Sequence, residues 1–96
     1  QVVNFNLEGI GLEDYLGGTV DVAPAFKELS GLISKVWLSD EANNLYGGVY
    51  TWENRQSMDD YLNSEFYDQV LGSNPNFINI TSKSYDVLDE QTKITS

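Results

Sequence analysis

Residues 32–52 read LISKVWLSDEANNLYGGVYTW, and this stretch decides the fold. Its two ends, 32–38 and 46–52, are rich in the β-branched and aromatic residues that favour strands. The run 39–44 between them is polar and has the composition of a turn. The stretch therefore predicts two antiparallel strands joined as a hairpin.

If the turn of this hairpin is symmetric, Trp37 lies opposite Gly48 and Lys35 lies opposite Tyr50. A glycine opposite a tryptophan leaves space for the indole or for a ligand stacked beside it. Gly47 and Gly48 do not form a phosphate loop, because no helix follows them, and close packing or a bulge explains the pair better. The predicted register gathers aromatic and polar side chains on one face of the sheet.

Upstream of the hairpin, residues 2–7 alternate in polarity and predict the first strand. From Leu12 onward, apolar residues recur at spacings of three and four, which predicts a helix. The predicted buried face of this helix consists of Leu12, Leu16, Val20, Ala23, Phe26 and Leu29. Because Gly17, Gly18 and Pro24 weaken a helix, we expect it to be kinked or split.

Downstream, Asn54 is a suitable N-cap for a second helix. Its predicted inner face consists of Met58, Tyr61, Leu62 and Phe66. A short turn should run from Ser64 to Gly72, and residues 77–87 predict a fourth strand. The polar residues 89–96 predict a loose tail or an arm that contacts a partner.

The order β-α-β-β-α-β predicts an α+β domain over residues 1–96: a ferredoxin-like two-layer sandwich with both helices on one face of a four-stranded antiparallel sheet. The predicted hairpin faces are Ile33, Lys35, Trp37, Tyr50 and Trp52 on one side, and Leu32, Val36, Leu38, Val49 and Thr51 on the other. Neither face is hydrophilic enough to remain in water. We therefore expect a homodimer in which a second copy of the sheet covers the exposed face.

The composition excludes several classes of function. Fifteen acidic residues against five basic ones give a net charge of −10, which disfavours nucleic-acid binding. The chain has no cysteine and no histidine, so it lacks the usual ligands of zinc, non-haem iron and haem, and we expect no metal and no cofactor. No segment is apolar enough for a membrane span, and the expected location is cytoplasmic.

Candidate site residues lie in and beside the hairpin. Lys35 and Tyr50 are candidate catalytic groups, while Trp37, Trp52 and Arg55 are candidate substrate-binding residues, because small-molecule pockets combine apolar walls with a few polar groups. The alternative is that both tryptophans pack the core or an interface and that Lys35 extends to water. Arg55 could bind a substrate carboxylate or form a surface ion pair with Glu53 or Asp59.

The segments GLISKVWL (31–38) and YGGVYTWE (46–53) resemble the YdhR-type monooxygenase family. SMDDYL (57–62), SYDVL (84–88) and the first strand fit it as well, so the resemblance covers nearly the whole chain. It implies a dimeric α+β barrel, in which two ferredoxin-like sheets close face to face.

Several relatives in that superfamily oxidise aromatic polyketide-type compounds with molecular oxygen and without metal or flavin. The resemblance therefore implies a cofactor-independent monooxygenase acting on a small aromatic or quinone-like compound. On this interpretation Lys35 and Tyr50 transfer a proton or stabilise an oxyanion, and Trp37 is a stacking wall. The alternative is a non-catalytic small-ligand-binding or stress-related barrel with the same pocket. The haem-degrading branch needs a histidine that this chain lacks.

Overall fold

The computed structural model describes residues 1–96 and has a single four-stranded sheet. Its strands are Val2–Leu7 (β1), Leu32–Asp40 (β2), Leu45–Trp52 (β3) and Phe77–Lys83 (β4). Its helices are Leu12–Lys27 (α1), Arg55–Leu62 (α2), the single turn Glu65–Tyr67 (α3) and Asp89–Thr95 (α4), with a 3₁₀ turn at Glu41–Asn43 and a π turn at Asp68–Gly72. All pairings are antiparallel in the order β2-β3-β1-β4. The predicted ferredoxin-like α+β fold is confirmed.

The hairpin register is the predicted one: Trp37 pairs with Gly48 and Lys35 pairs with Tyr50. On its other edge β3 pairs with the central strand β1, and a Cβ at Gly47 would overlap the backbone carbonyl of Val3. Close strand packing therefore accounts for this glycine, as the sequence indicates.

The N-terminal caps of the second helical region are also confirmed. The side chain of Asn54 accepts a hydrogen bond from the backbone N–H of Ser57 at 2.9 Å. The hydroxyl of Ser64 accepts one from the N–H of Tyr67 at 3.1 Å, which starts the short turn that ends at Gly72. These caps satisfy N–H groups that a helix cannot pair internally.

Two predictions for α1 are wrong in part. The helix is not split, because Pro24 lies in its last turn and forgoes only the single hydrogen bond that its missing N–H would have donated. The predicted buried face is correct for Phe26, which is buried, and for Leu12 and Leu29, which pack against the core. It is wrong for Leu16 and Val20, which are 49% and 73% exposed, and it omits the buried Tyr15. The ring of Tyr15 packs against the rings of Phe5, Tyr46 and Phe77, and these aromatic contacts favour its burial.

The fourth strand ends at Lys83, earlier than the predicted Val87. Its only partner is β1, whose pairing begins at Val2 opposite Lys83, so residues beyond Lys83 have no strand to bond. The chain continues through residues 84–88 into α4, which is fully exposed and replaces the predicted loose tail.

The core lies between the sheet and the helices and is mainly aromatic. Its cluster of buried residues is Val3, Phe5, Leu7, Tyr15, Phe26, Tyr46, Tyr50, Tyr61 and Leu71. The predicted faces of two hairpin residues, Leu32 and Ile33, are wrong. A bulge between Leu32 and Ser34 pairs Leu32 with Trp52 and packs it on the core, leaving Ile33 exposed.

The other face of the sheet is open in the single chain. Val36 is 57% exposed and Val49 is 36% exposed on this face. Only 12 of 96 residues are buried, so the core of the single chain is small. No helix combines the length and apolar character required to cross a membrane.

Candidate functional site

A cavity of about 370 Å³ lies between α1 and the helix-covered face of the sheet. Eleven of its 17 lining residues are hydrophobic, and most of these carry aromatic rings or branched chains. The polar side chains that reach it are Asp14, Thr19, Lys35, Gln69 and Asn74. Its size and its mainly apolar walls are those of a small-molecule pocket.

Lys35 is held in this cavity by aromatic rings. Its Nζ lies 3.4 Å from the ring centroid of Phe26, 3.3 Å from that of Trp37 and 4.8 Å from that of Tyr50. It forms no ion pair, since the one salt bridge in the structure joins Arg55 to Asp86. The amine is therefore surrounded by apolar surface without a carboxylate to neutralise it.

These surroundings change the acidity of the lysine. Burial lowers the pKa of Lys35 to about 7, because the charged form loses hydration. The faces of the aromatic rings attract an ammonium group and so oppose this shift in part. An amine whose pKa is lowered by burial toward neutrality can release or accept a proton there, which is what a general base requires.

Gly48 makes room for the stem of Lys35. A Cβ at this position would lie 2.9 Å from Lys35 Cε and 3.3 Å from Cε1 of Tyr50. Because even a Cβ would lie this close to the lysine stem, any side chain at position 48 would push Lys35 out of its place. The glycine that the sequence places opposite Trp37 thus gives space to the neighbouring lysine.

Two buried tyrosines face the same cavity. The hydroxyls of Tyr50 and Tyr61 lie 3.4 Å apart, and either can be the donor. Burial raises the pKa of Tyr50 well above its ordinary value, and burial also raises the pKa of Tyr61 to about 12. Both phenols therefore keep their protons at physiological pH and can donate hydrogen bonds to a ligand.

Trp37 forms the boundary between this cavity and a smaller cleft of about 190 Å³. Its indole packs edge-to-face on Phe26, with centroids 5.4 Å apart and an interplanar angle of 83°. Phe26, Lys35 and Trp37 line both spaces, so the amine of Lys35 lies at the wall between them.

The structure brings Lys35, Trp37 and Tyr50 together but places Trp52 and Arg55 elsewhere. Trp52 stacks on the far side of Tyr50 at 6.0 Å and 5°, and its Nε1 donates a hydrogen bond to Gln1. Both Trp52 and Arg55 line a separate groove of about 470 Å³. Their role in binding a substrate stays a prediction, and it would concern this groove.

Arg55 forms a surface ion pair, but not with the expected residue. Its neighbours along the chain, Glu53 and Asp59, are the predicted partners, whereas the structure pairs it with Asp86 at 3.4 Å. It also donates a hydrogen bond to Ser84 at 2.9 Å. The segment that follows β4 turns back over the start of α2, which sequence spacing alone does not indicate.

Two phenols of the cavity are not identified as site residues by the sequence pattern. The pattern indicates Tyr61 only as part of the inner face of α2, and it leaves Tyr15 off the face of α1, yet both line the cavity. Burial raises the pKa of Tyr15 to about 12. A helical face drawn through Leu12, Tyr15, Val22 and Phe26 would have found Tyr15.

The model of the family described as "Putative mono-oxygenase ydhR" matches residues 1–96 of the chain. The match covers all the segments that carry the resemblance, and that prediction is confirmed. The description of the family supports a monooxygenase-like function. No curated protein shows significant similarity to the chain.

Proposed function

The chain belongs to the ydhR family, and from this membership we propose that it is a cofactor-independent monooxygenase that oxidises a small aromatic or quinone-like compound in the cavity. The observation that carries the proposal is Lys35, an amine without a counter-ion that is enclosed by aromatic rings and opens on the cavity. A proton acceptor beside a flat apolar space suits an aromatic carbon acid.

Binding comes first in this proposal. The walls contributed by Phe5, Phe26 and Trp37 favour a planar ring through stacked and edge-on contacts. A ligand ring that fills the cavity also displaces water, and polar interactions are stronger where water is excluded. A substrate with an acidic C–H or O–H group would place that group near Lys35.

The neutral amine of Lys35 then takes a proton from the substrate. The resulting electron-rich anion reacts with molecular oxygen, and a ring methylene becomes a carbonyl. One oxygen atom is retained and the other leaves as water, so all the electrons come from the substrate. The hydroxyls of Tyr50 and Tyr61 donate hydrogen bonds to the oxygen that carries negative charge.

We also propose that the working form is a homodimer. The open sheet face exposes Val36, Val49 and Leu45, and apolar side chains at this density are covered in most soluble proteins. A second copy would close two sheets into the barrel that the family resemblance implies. Light scattering at micromolar concentration should give twice the mass of the chain, and a monomer that persists at high concentration would refute this.

The experiment that tests the function is oxygen uptake with a panel of anthrone-like and hydroquinone compounds. The proposal predicts consumption of one molecule of oxygen for each carbonyl formed, without added metal or flavin. Fluorescence of Trp37 should report ligand binding in the same samples, since the indole lines the cavity. Tight binding without oxygen uptake across the panel would favour the alternative, a non-catalytic ligand-binding barrel.

A further inference from the structure

We propose that Lys35 also captures carbonyl compounds: its amine condenses with an aromatic aldehyde or ketone in the cavity to form an imine. This chemistry uses the same cavity as the proposed oxygenation, but it requires neither oxygen nor that reaction. The proposal thus adds a second class of ligand to the site, aromatic carbonyl compounds that bind covalently.

The position of Nζ supports this chemistry. The amine opens on the cavity, lies against the rings of Phe26 and Trp37, and has no carboxylate that would hold it as a charged donor. Lysines that form imines in enzymes are commonly desolvated in this way, because only the neutral amine is nucleophilic. Burial, which lowers the pKa of Lys35 to about 7, acts in the same direction.

The walls of the cavity restrict the ligand to aromatic carbonyl compounds. The rings of Phe26 and Trp37 flank the amine, so an incoming carbonyl carbon brings its substituent against aromatic surface. A flat aryl group gains stacking contacts there that an aliphatic chain does not. The stem of Lys35 occupies the space left by Gly48, which holds the amine beside these rings.

The step balances without a further reactant. The nitrogen lone pair attacks the carbonyl carbon, and the oxygen takes up a proton to give a carbinolamine. This intermediate loses water as the C=N bond forms, so aldehyde plus amine give imine plus water. The protonated hydroxyls of Tyr50 and Tyr61 line the same cavity and are suited to give a proton to the departing oxygen.

Reductive trapping tests the proposal on the intact chain. The protein is incubated with 2-naphthaldehyde under nitrogen, reduced with sodium cyanoborohydride, and analysed by intact mass and peptide mapping. Lys27, Lys83 and Lys93 serve as internal controls, together with the amine of Gln1. We expect one adduct per chain, on Lys35, forming at least about tenfold faster near pH 7 than on any other lysine, because exposed lysines are almost wholly charged there.

Equal labelling of all lysines, or labelling confined to the terminal amine, would overturn the proposal. Hexanal should label Lys35 more slowly than the aryl aldehyde, and equal rates would refute the aromatic preference. Lys83→Met leaves the cavity intact and should give the Lys35 adduct at the wild-type rate. Tyr50→Phe removes one of the two proton donors, so the adduct should still form on Lys35 but more slowly. Because the trapping is done without oxygen, its failure and failure of the monooxygenase proposal are separate results.

Discussion

Lys35 and Arg55 are two cations that line different cavities of the molecule, and they differ in burial and in charge pairing. Lys35 lies among the rings of Phe26 and Trp37 and has no anion. Arg55 is half exposed, pairs with Asp86 and donates a hydrogen bond to Ser84. A charge that is paired in water is stable and unreactive, whereas an unpaired amine in an apolar cavity is near its point of neutrality.

The spaces beside these cations differ in the same way. The groove at Arg55 is the larger, about 470 Å³, but polar and exposed side chains form much of its wall. The cavity at Lys35 is about 370 Å³ and mainly aromatic. The lining of the cavity at Lys35, more than its volume, is typical of a small-molecule pocket, and it supports our proposal that the chemistry takes place there.

The largest effect is expected from Lys35→Met, which keeps the stem of the side chain and removes the amine. If Lys35 is the general base, oxygen uptake should fall by about 10²- to 10⁴-fold. In the wild-type protein kcat/KM should rise with pH through about 7, since the amine accepts a proton only when it is neutral. The variant should lose this rise. Steady-state oxygen consumption between about pH 5.5 and 9 measures both effects.

Lys83→Met is the matched control, because Lys83 is exposed on the edge strand β4. It should retain the wild-type rate and the wild-type pH profile. A Lys35→Met variant that folds, binds ligand and still turns over at the wild-type rate would remove Lys35 from the chemistry.

The next effect is that of Tyr50→Phe, which removes one hydroxyl from the buried pair. Loss of one donor to a developing oxyanion reduces the rate by about 10²- to 10³-fold. The partner hydroxyl of Tyr61 stays, so binding of the substrate should change little. Tyr61→Phe is the companion variant, and the larger loss between the two identifies the donor to the substrate. Unchanged rates in both would mean that the pair only packs the core.

The sequence predicts those parts of the fold that depend on local pattern. The hairpin register follows from alternation and a symmetric turn, so the predicted pairing of Lys35 with Tyr50 is correct. The end of β4 at Lys83 depends on where its partner β1 begins, and the bulge after Leu32 inverts a face that strict alternation would assign. The end of β4 and the bulge in β2 depend on how the strands pair in the folded sheet, and the sequence of one strand does not determine this pairing.

The same distinction applies to the site. Alternation along the two hairpin strands is enough to place Lys35, Trp37 and Tyr50 on one sheet face. Phe26 and Tyr61 lie on α1 and α2, and they line the same cavity only because of the way these helices pack on the sheet. Burial beneath the helices lowers the pKa of Lys35, so no spacing in the sequence could indicate this change.

A smaller effect is expected on stability. Because the pKa of Lys35 is about 7 in the folded chain and about 10.4 in an unfolded one, the unfolded chain binds the extra proton between these values. The free energy of unfolding should therefore rise with pH from about 7 to about 10. Below about pH 7 the folded chain bears the full cost of burying the charged amine of Lys35. Lys35→Met should lack this contribution and be more stable than wild type near pH 6.

The expected difference is roughly 2 kcal/mol near pH 6, once the partial exposure of Lys35 is allowed for, and it should vanish near pH 10. Urea unfolding of both proteins at several pH values measures it. Tyr15 and Tyr61, whose pKa values are raised to about 12, act in the opposite sense above pH 10, where stability should fall in both proteins. A constant difference across the range would mean that Lys35 titrates as an ordinary exposed lysine.

The smallest effect is expected from Arg55→Gln, which tests the second cation of the comparison with Lys35. The side chains of Arg55 and Asp86 are 54% and 95% exposed, and such a surface pair contributes about 0–1 kcal/mol. Unfolding experiments should therefore show a small loss that disappears at high salt. Oxygen uptake with an uncharged anthrone-like compound should not change, since Arg55 does not line the cavity.

A ligand that carries a carboxylate makes this test decisive. If substrate binds in the cavity, Arg55→Gln leaves its affinity unchanged and Arg55→Lys behaves in the same way. If the groove is the binding site, Arg55→Gln should weaken binding of the carboxylate by about 1.5–3 kcal/mol, the range for hydrogen bonds to charged groups. Isothermal titration with paired carboxylated and uncharged ligands distinguishes these outcomes. A loss of affinity confined to the carboxylated ligand would indicate that the substrate, or its carboxylate end, binds in the groove beside Arg55 and not in the cavity beside Lys35.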